Sequence, residues 1–521
     1  MKTLLNCFRL AAIASAFAIF PGMLPAQGLD PADLLHPPAD SWPLYHGDYS
    51  GRRHSGLRQI TPQNVRQLAL AWAFQTNERA ELKCSPLLVN GVLYFSVPDN
   101  VWAVDAHSGH EIWHYGYRPN PGLHIGHRGV AMYKSWIYFE TPDDHLLCLD
   151  ARSGKVRWDV VLADVSQGYW ATMAPLVVGN HVLAGISGDF DNVRGFLRSL
   201  DPETGKTQWT WYATPPAGTP NSTTGGTTWM TGTYDPNLNL VYWGTANPTP
   251  VLTGKPRPGD NLYTCSIVAL NPDTGKLVWA FQPSPHDTHD WDAAETPMLV
   301  DADFHGRPRK LLMQASRNGY FFVLDRTTGK ALVTTPFGDI NWSLGVDKRG
   351  EPIPNPAKEP TPDGVLVQPD STGLANYRSP SFDPQTGLYI VSARPSWGMY
   401  YSKENKGAYG WAGEDTFAWS KGTLLAIDYQ TGKIQWRHEL GKGSPGGGVL
   451  TTDSGLIFTG DTSGDVMALE TSTGKTLWHA YAGADMQSSP ITYELDGRQY
   501  VITGIGSVMY AWALPAPAAE R

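Results

Sequence analysis

Cysteine is scarce in this chain of 521 residues, which has four. Cys7 lies near the N-terminus in an apolar leader, so Cys84, Cys148 and Cys265 remain, an odd number that requires at least one free thiol. No Cys-x-x-Cys-His occurs, so this chain attaches no haem covalently, and no Cys/His spacing suits structural zinc. Basic runs are also missing and the formal charge is −9, which argues against a nucleic-acid partner. Beyond the leader no stretch of about eighteen uninterrupted apolar residues exists, so stable membrane insertion is not expected. The leader itself places Lys2 and Arg9 before the apolar run Leu10 to Phe20 and offers Leu24-Pro25-Ala26 for cleavage. Residues 1–26 therefore read as a secretory signal, and the mature protein, 27–521, is expected in the periplasm or outside the cell.

Glycine (54), proline (41) and tryptophan (20) are abundant instead, as in a turn-rich, repeated β architecture. Seven segments share a small or apolar pair, Asp, two variable residues, Ser or Thr, Gly, and a Trp four residues on. They run Ala103 to Trp113, Cys148 to Trp158, Ser199 to Trp209, Ala269 to Trp279, Val323 to Val333, Ala426 to Trp436 and Ala468 to Trp478. Asn271 and Glu470 replace the aspartate in two copies, and Val333 replaces one tryptophan. A strand that ends on Asp can start a turn through its side chain, Gly supplies a positive φ, and the next strand opens with a Trp to bury. Each copy is thus a hairpin, and four-stranded units at this period make a radial propeller. The interval between Gly329 and Gly432 is long enough for one degenerate copy around Ser381 to Val391, which brings the count to eight. The expected fold is an all-β, eight-bladed β-propeller with tryptophan-docking repeats, in a single domain. Leu68 to Phe74 is expected to complete the last blade, and Asp347 to Ser371 to be a long surface loop.

The loops carry a second set of signals. Gly225-Gly226-Thr227-Thr228-Trp229 precedes Tyr234-Asp235-Pro236, and Gly244-Thr245-Ala246-Asn247-Pro248 follows. His286-Asp287-Thr288-His289-Asp290-Trp291-Asp292 puts three carboxylates within six positions, which repel unless a cation or hydrogen bonds compensate. Arg128 and Arg317 each precede a glycine-containing turn. With the repeat, these motifs resemble the pyrroloquinoline-quinone (PQQ) alcohol dehydrogenases, the methanol and ethanol dehydrogenase family, over nearly the whole mature chain.

The resemblance implies a site. Trp229 would lie beneath the quinone, with Thr227, Thr172, Ser187 and Asn376 as neutral hydrogen-bonding groups and Arg128 and Arg317 against its carboxylates. Asn247 and Asp290 would hold a Ca²⁺ or lanthanide ion, with Asp292 as the extra carboxylate of the lanthanide-using branch. Asp290 would be the base that deprotonates a small alcohol. The electron acceptor would be a separate cytochrome c. The chain departs from the family in four places. Phe190 stands at the position of the metal-ligating glutamate, leaving Asp189 beside it as a substitute ligand. Lys83 replaces a carboxylate near the cofactor. Gly122 and Leu123 occupy the place of an adjacent-cysteine disulfide, and the lid tryptophan falls near Gly446. A more open pocket follows, for a larger alcohol, with a sugar or polyol as the alternative substrate. A non-catalytic scaffold is the alternative that Phe190 favours.

Overall fold

Asp105 ends the strand Asn100–Asp105, and its carboxylate accepts the Ser108 N–H at 2.8 Å, starting the turn into Glu111–Gly116. Asp150, Asp201, Asn271 and Asp428 repeat this bond to the residue three positions on. The seven repeat glycines have φ between +66° and +75°. Their missing Cβ also matters, because each faces a side chain of the preceding sheet. A Cβ on Gly109 would lie 2.7 Å from the ring of Trp72, and one on Gly154 the same distance from Trp113. Trp158, Trp209, Trp279 and Trp436 meet Gly205, Gly275, Gly329 and Gly474 alike, whereas Val333 and Thr335 meet Gly432. Several of the indoles donate across the same boundary, Trp72 to Ala106 O at 3.1 Å and Trp113 to Ala151 O at 2.9 Å.

The computed structural model describes residues 28–117, 125–188, 192–219, 223–403, 410–442 and 445–515. The leader, Gly122, Leu123, Asp189 and Phe190 lie outside them. Among the described residues eight sheets each contain four antiparallel strands, beginning with Leu87–Val89, Val92–Val97, Asn100–Asp105 and Glu111–Gly116. The N-terminal strand Ala69–Gln75 pairs with Val508–Ala513, so the two ends of the chain share one sheet. The apolar residues between sheets form the core, with Tyr94, Phe95, Trp102 and Trp243 almost wholly buried. Among the described residues no helix is long and apolar enough to cross a membrane.

Two expectations are corrected. The strand material around Ser381 to Val391 is no extra copy. Ser381–Asp383 and Leu388–Ala393 are the first two strands of the sheet that holds Gly432. The eighth sheet is the one shared by the termini, and it lacks the Asp-Gly turn because its outer strand arrives from the other end of the chain. Nor is Asp347 to Ser371 a structureless loop. Pro352–Pro354 pairs with Ser343–Val346, and Val365–Val367 pairs with Ser396–Ser402. Short, proline-rich strands at an edge show little alternation, which hid them.

Cys84, Cys148 and Cys265 are all buried and free. Burial pushes the Cys84 and Cys148 thiols up to about 12, so little thiolate forms at neutral pH. Native protein is expected to give no fast reaction with a chromogenic disulfide, and three thiols after denaturation of the mature chain.

Glu140 and Asp144 flank the turn between Trp136–Glu140 and His145–Asp150 and are fully buried. Their carboxyl oxygens have no hydrogen-bond partner among the described residues. Burial first, then the neighbouring carboxyls, hold both well above the usual carboxylate range. Such groups fold neutral and ionise in the unfolded chain, so their contribution is complete below the ordinary carboxylate pKa and is lost as pH rises through the folded value. The melting temperature is therefore expected to fall as pH rises from about 5 to 8, and Glu140→Gln to flatten that slope. A thermal melt series checks this, and an equal slope in the variant refutes it.

Candidate functional site

Antiparallel four-stranded units put alternate connections at one end of every sheet. The Asp-Gly turns join third to fourth strands at one end, while the links between sheets and the second-to-third turns lie at the other. The residues expected at a cofactor belong to that second end, whereas Tyr234-Asp235-Pro236 turns at the first. Arg128 precedes Ala131–Tyr133, Thr172 precedes Leu176–Val178, Ser187 follows His181–Gly185, and Arg317 turns between Pro308–Ala315 and Tyr320–Asp325.

Lys83, Arg128, Thr172, Ser187, Trp229, Asp290, Arg317 and Asn376 line one cavity of about 250 Å³. Thr227 is fully buried and is not among the lining residues, and its carbonyl accepts the Ala246 N–H at 2.8 Å. Asp292 and Asn247 are fully buried behind the wall. Gly446 cannot carry a lid, since a Cβ there would meet Gly460 O at 2.0 Å. Ile125, Trp170, Tyr377 and Trp411 also line the cavity, and the sequence reading missed them. Only their proximity to Arg128, Thr172 and Asn376 hints at the first three.

Trp229 forms a wall of this cavity because of the two glycines before it. Gly225 has φ +92° and a Cβ there would meet Asn247 O at 2.2 Å, so the loop passes directly against Asn247-Pro248. Gly226 N–H donates to Asn247 O at 2.9 Å. Asp292 then fixes both strands of this crossing: Oδ2 accepts the Trp229 indole N–H at 2.8 Å and Oδ1 the Asn247 N–H at 2.7 Å. The Arg128 Cζ lies 4.6 Å from the Trp229 ring centroid and the Arg317 Cζ 5.7 Å from it. Arg128 also donates to the Thr172 hydroxyl.

Asp290 adopts φ +67°, an unfavourable backbone for an aspartate. Two neighbours hold it there. Asp287 Oδ2 accepts the N–H groups of His289, Asp290 and Trp291 at 3.3, 3.0 and 3.3 Å. Arg317 Nη1 donates to Asp290 O at 2.6 Å and lies 3.2 Å from its carboxylate and 3.5 Å from Asp292. Burial pushes Asp287 up to about 6 and Glu295, 3.9 Å from Arg317 Nε, up to about 8. Sequence reasoning missed Glu295, because nothing in its local context marks it. The segment before Ser381 buttresses the loop from outside: His289 Nε2–H donates to Lys358 O at 2.8 Å and Trp291 Nε1–H to Asp370 O at 3.0 Å.

Three or more His, Cys, Asp or Glu do not gather as a metal-binding group among the described residues. Oxygen donors for a hard cation reduce there to Asp290, Asp292 and the amide of Asn247, with Asp189 outside the described residues. The cavity suits a flat polyanion better than it suits an apolar guest, because an indole face lies beside two guanidinium groups and a lysine.

Fold and site define an all-β propeller protein with a cavity for a planar, anionic cofactor at one end. The family model "Glucose/ethanol/alcohol dehydrogenase, beta-propeller domain" of the PQQ proteins matches residues 42–336 and 394–501. The quinohemoprotein alcohol dehydrogenase ADH IIB of Pseudomonas putida is 34% identical over 94% of this chain and 76% of its own. The quinoprotein alcohol dehydrogenase PedH of Pseudomonas putida is 35% identical over 89% of this chain and 86% of its own. A europium-containing methanol dehydrogenase structure superposes with a TM-score of 0.84 at 29% identity, covering 93% of this chain and all of that one. The chain belongs to the PQQ-dependent alcohol dehydrogenase family, whose members are alcohol-oxidising quinoproteins.

Proposed function

We propose that this chain is an exported quinoprotein dehydrogenase that oxidises a small alcohol to an aldehyde, with Asp290 as general base. The observation that carries the proposal is the Trp229 face between Arg128 and Arg317, in the cavity that Asp290 also lines. The eight sheets would be blades of one closed ring, with tryptophan–glycine contacts docking neighbouring blades at six of the boundaries. When bound, PQQ supplies an ortho-quinone that accepts a hydride equivalent, and a Ca²⁺ or lanthanide ion supplies Lewis acidity towards it. Trp229 would support the cofactor plane, Arg128, Arg317 and Lys83 would meet its carboxylates, and Thr172, Ser187 and Asn376 its remaining polar edge. Asn247, Asp290 and Asp292 would hold the cation. Asp290 accepts the hydroxyl proton at its carboxylate, while Arg317, 3.2 Å away, orients that carboxylate and balances its charge. Electrons would pass to a separate c-type cytochrome. The leader supports a location in the periplasm or outside the cell.

Titration of the purified protein with PQQ, with Ca²⁺ or La³⁺ present, tests this reading. Saturable quenching of tryptophan fluorescence and dye-linked oxidation of primary alcohols are expected, and Trp229→Ala is expected to abolish the quenching. Wild-type protein that shows neither signal with either ion refutes the proposal.

A further inference from the structure

Tyr377 is an aromatic side chain of the cavity whose hydroxyl is bonded outside the cavity. Tyr377 lines the same space as Trp229, and its ring packs against the apolar group formed by Trp229, Met230, Ala246 and Ala294. The Arg128 Cζ lies over both rings, 4.6 Å from the Trp229 centroid and 5.3 Å from that of Tyr377. Two aromatic faces therefore border one site of guanidinium size, and a guanidinium is itself a flat, delocalised group.

The phenol does not use its hydroxyl in the cavity. Tyr377 Oη–H donates to Gln487 Oε1 at 2.9 Å, and Gln487 Nε2–H donates to Glu81 Oε2 at 2.5 Å. Gln487 is held in turn, because Gly448 N–H donates to the neighbouring Ser488 O at 3.0 Å and a Cβ on Gly448 would strike Ser489. On the near side the Tyr377 N–H donates to Asn376 Oδ1 at 2.7 Å. A two-torsion side chain tethered through its hydroxyl has its ring orientation restricted, which lowers the entropy lost when a flat ligand settles on it.

We propose that Tyr377 is a further cofactor-binding residue, which closes the slot above the Trp229 face against a planar aromatic quinone while Gln487 and Glu81 fix its ring. This rests on the quinoprotein reading above. The ring supplies the contact and the hydroxyl supplies the tether, so the two parts separate by substitution.

The test is fluorescence and calorimetric titration of the full mature protein with PQQ in Ca²⁺ or La³⁺. Tyr377→Phe keeps the ring and is expected to bind within about fivefold of wild type, the worth of one hydrogen bond. Tyr377→Leu, which keeps an apolar side chain without the π face, and Tyr377→Ala are each expected to weaken binding by roughly 30-fold. Should the alanine variant fail to fold, the leucine and phenylalanine variants carry the comparison. Wild type that binds while Tyr377→Leu binds equally well overturns the inference and leaves the quinoprotein reading standing. Wild type that does not bind PQQ at all overturns both.

Discussion

Asp290→Asn is expected to lower turnover by about three orders of magnitude while PQQ affinity stays within a few-fold of wild type. The asparagine keeps the shape and the left-handed backbone of Asp290, since φ +67° is one that asparagine adopts as readily as aspartate. It also leaves intact the backbone bond from Arg317 to residue 290 and the three N–H groups collected by Asp287. Lost are the acceptor for a proton and one charge beside the proposed cation, to which the amide oxygen can still coordinate. Removing the charge deprives Arg317 of one carboxylate, but Asp292 remains 3.5 Å from Nη1, so the guanidinium keeps its place. Steady-state dye-linked assays with a primary alcohol, beside the fluorescence titration, separate rate from binding. A variant that binds PQQ and retains more than a tenth of wild-type turnover would show that Asp290 is not the base. The same titration on Arg317→Lys probes the other partner: a point charge cannot reach both carboxylates and the Asp290 carbonyl, so affinity and rate should fall together.

How far the sequence disclosed this molecule depends on whether a signal is local. The Asp-Gly turns and their tryptophans are local, and each copy that the pattern found sits at the same corner of a four-stranded sheet. The eighth sheet is not local, because Ala69–Gln75 meets Val508–Ala513 across the length of the chain. The long interval before Gly432 was credited with a repeat for that reason. Its residues do something else: Trp342 packs on Trp291 at 4.9 Å between ring centroids, and Lys358 and Asp370 take hydrogen bonds from the loop that carries Asp290. A spacing pattern does not reveal a buttress built from isolated contacts. The polar half of the cavity was legible because Arg128, Arg317 and Asp290 stand in recognisable motifs. Of its aromatic lining only Trp229 was, because Trp170, Tyr377 and Trp411 look like core residues in a chain with 11% aromatics. Thr227 illustrates the converse: it belongs to a telling motif, yet the strand pairing of Thr224-Gly225 with Pro248-Thr249 carries it beneath the wall.

Asp292 was read as an additional metal ligand, and the hydrogen bonds give it a second task with a large expected effect. Asp292→Ala leaves two buried donors, the Trp229 indole N–H and the Asn247 N–H, without their acceptor. Each orphaned donor costs about 1–3 kcal/mol, and the pair together is expected to weaken PQQ binding by about 100-fold or more as Trp229 loses its anchor. Asp292→Asn should fall between, since one amide oxygen can serve one donor while its NH₂ faces the other. The discriminating measurement is PQQ affinity with Ca²⁺ and with La³⁺ in parallel. Loss with both ions is what anchoring of Trp229 and Asn247 by the carboxylate requires. Loss with La³⁺ alone would mean that Asp292 acts only through the cation, and the anchoring argument would fall. The first outcome is expected, because both carboxylate oxygens already accept buried N–H groups at 2.7 and 2.8 Å.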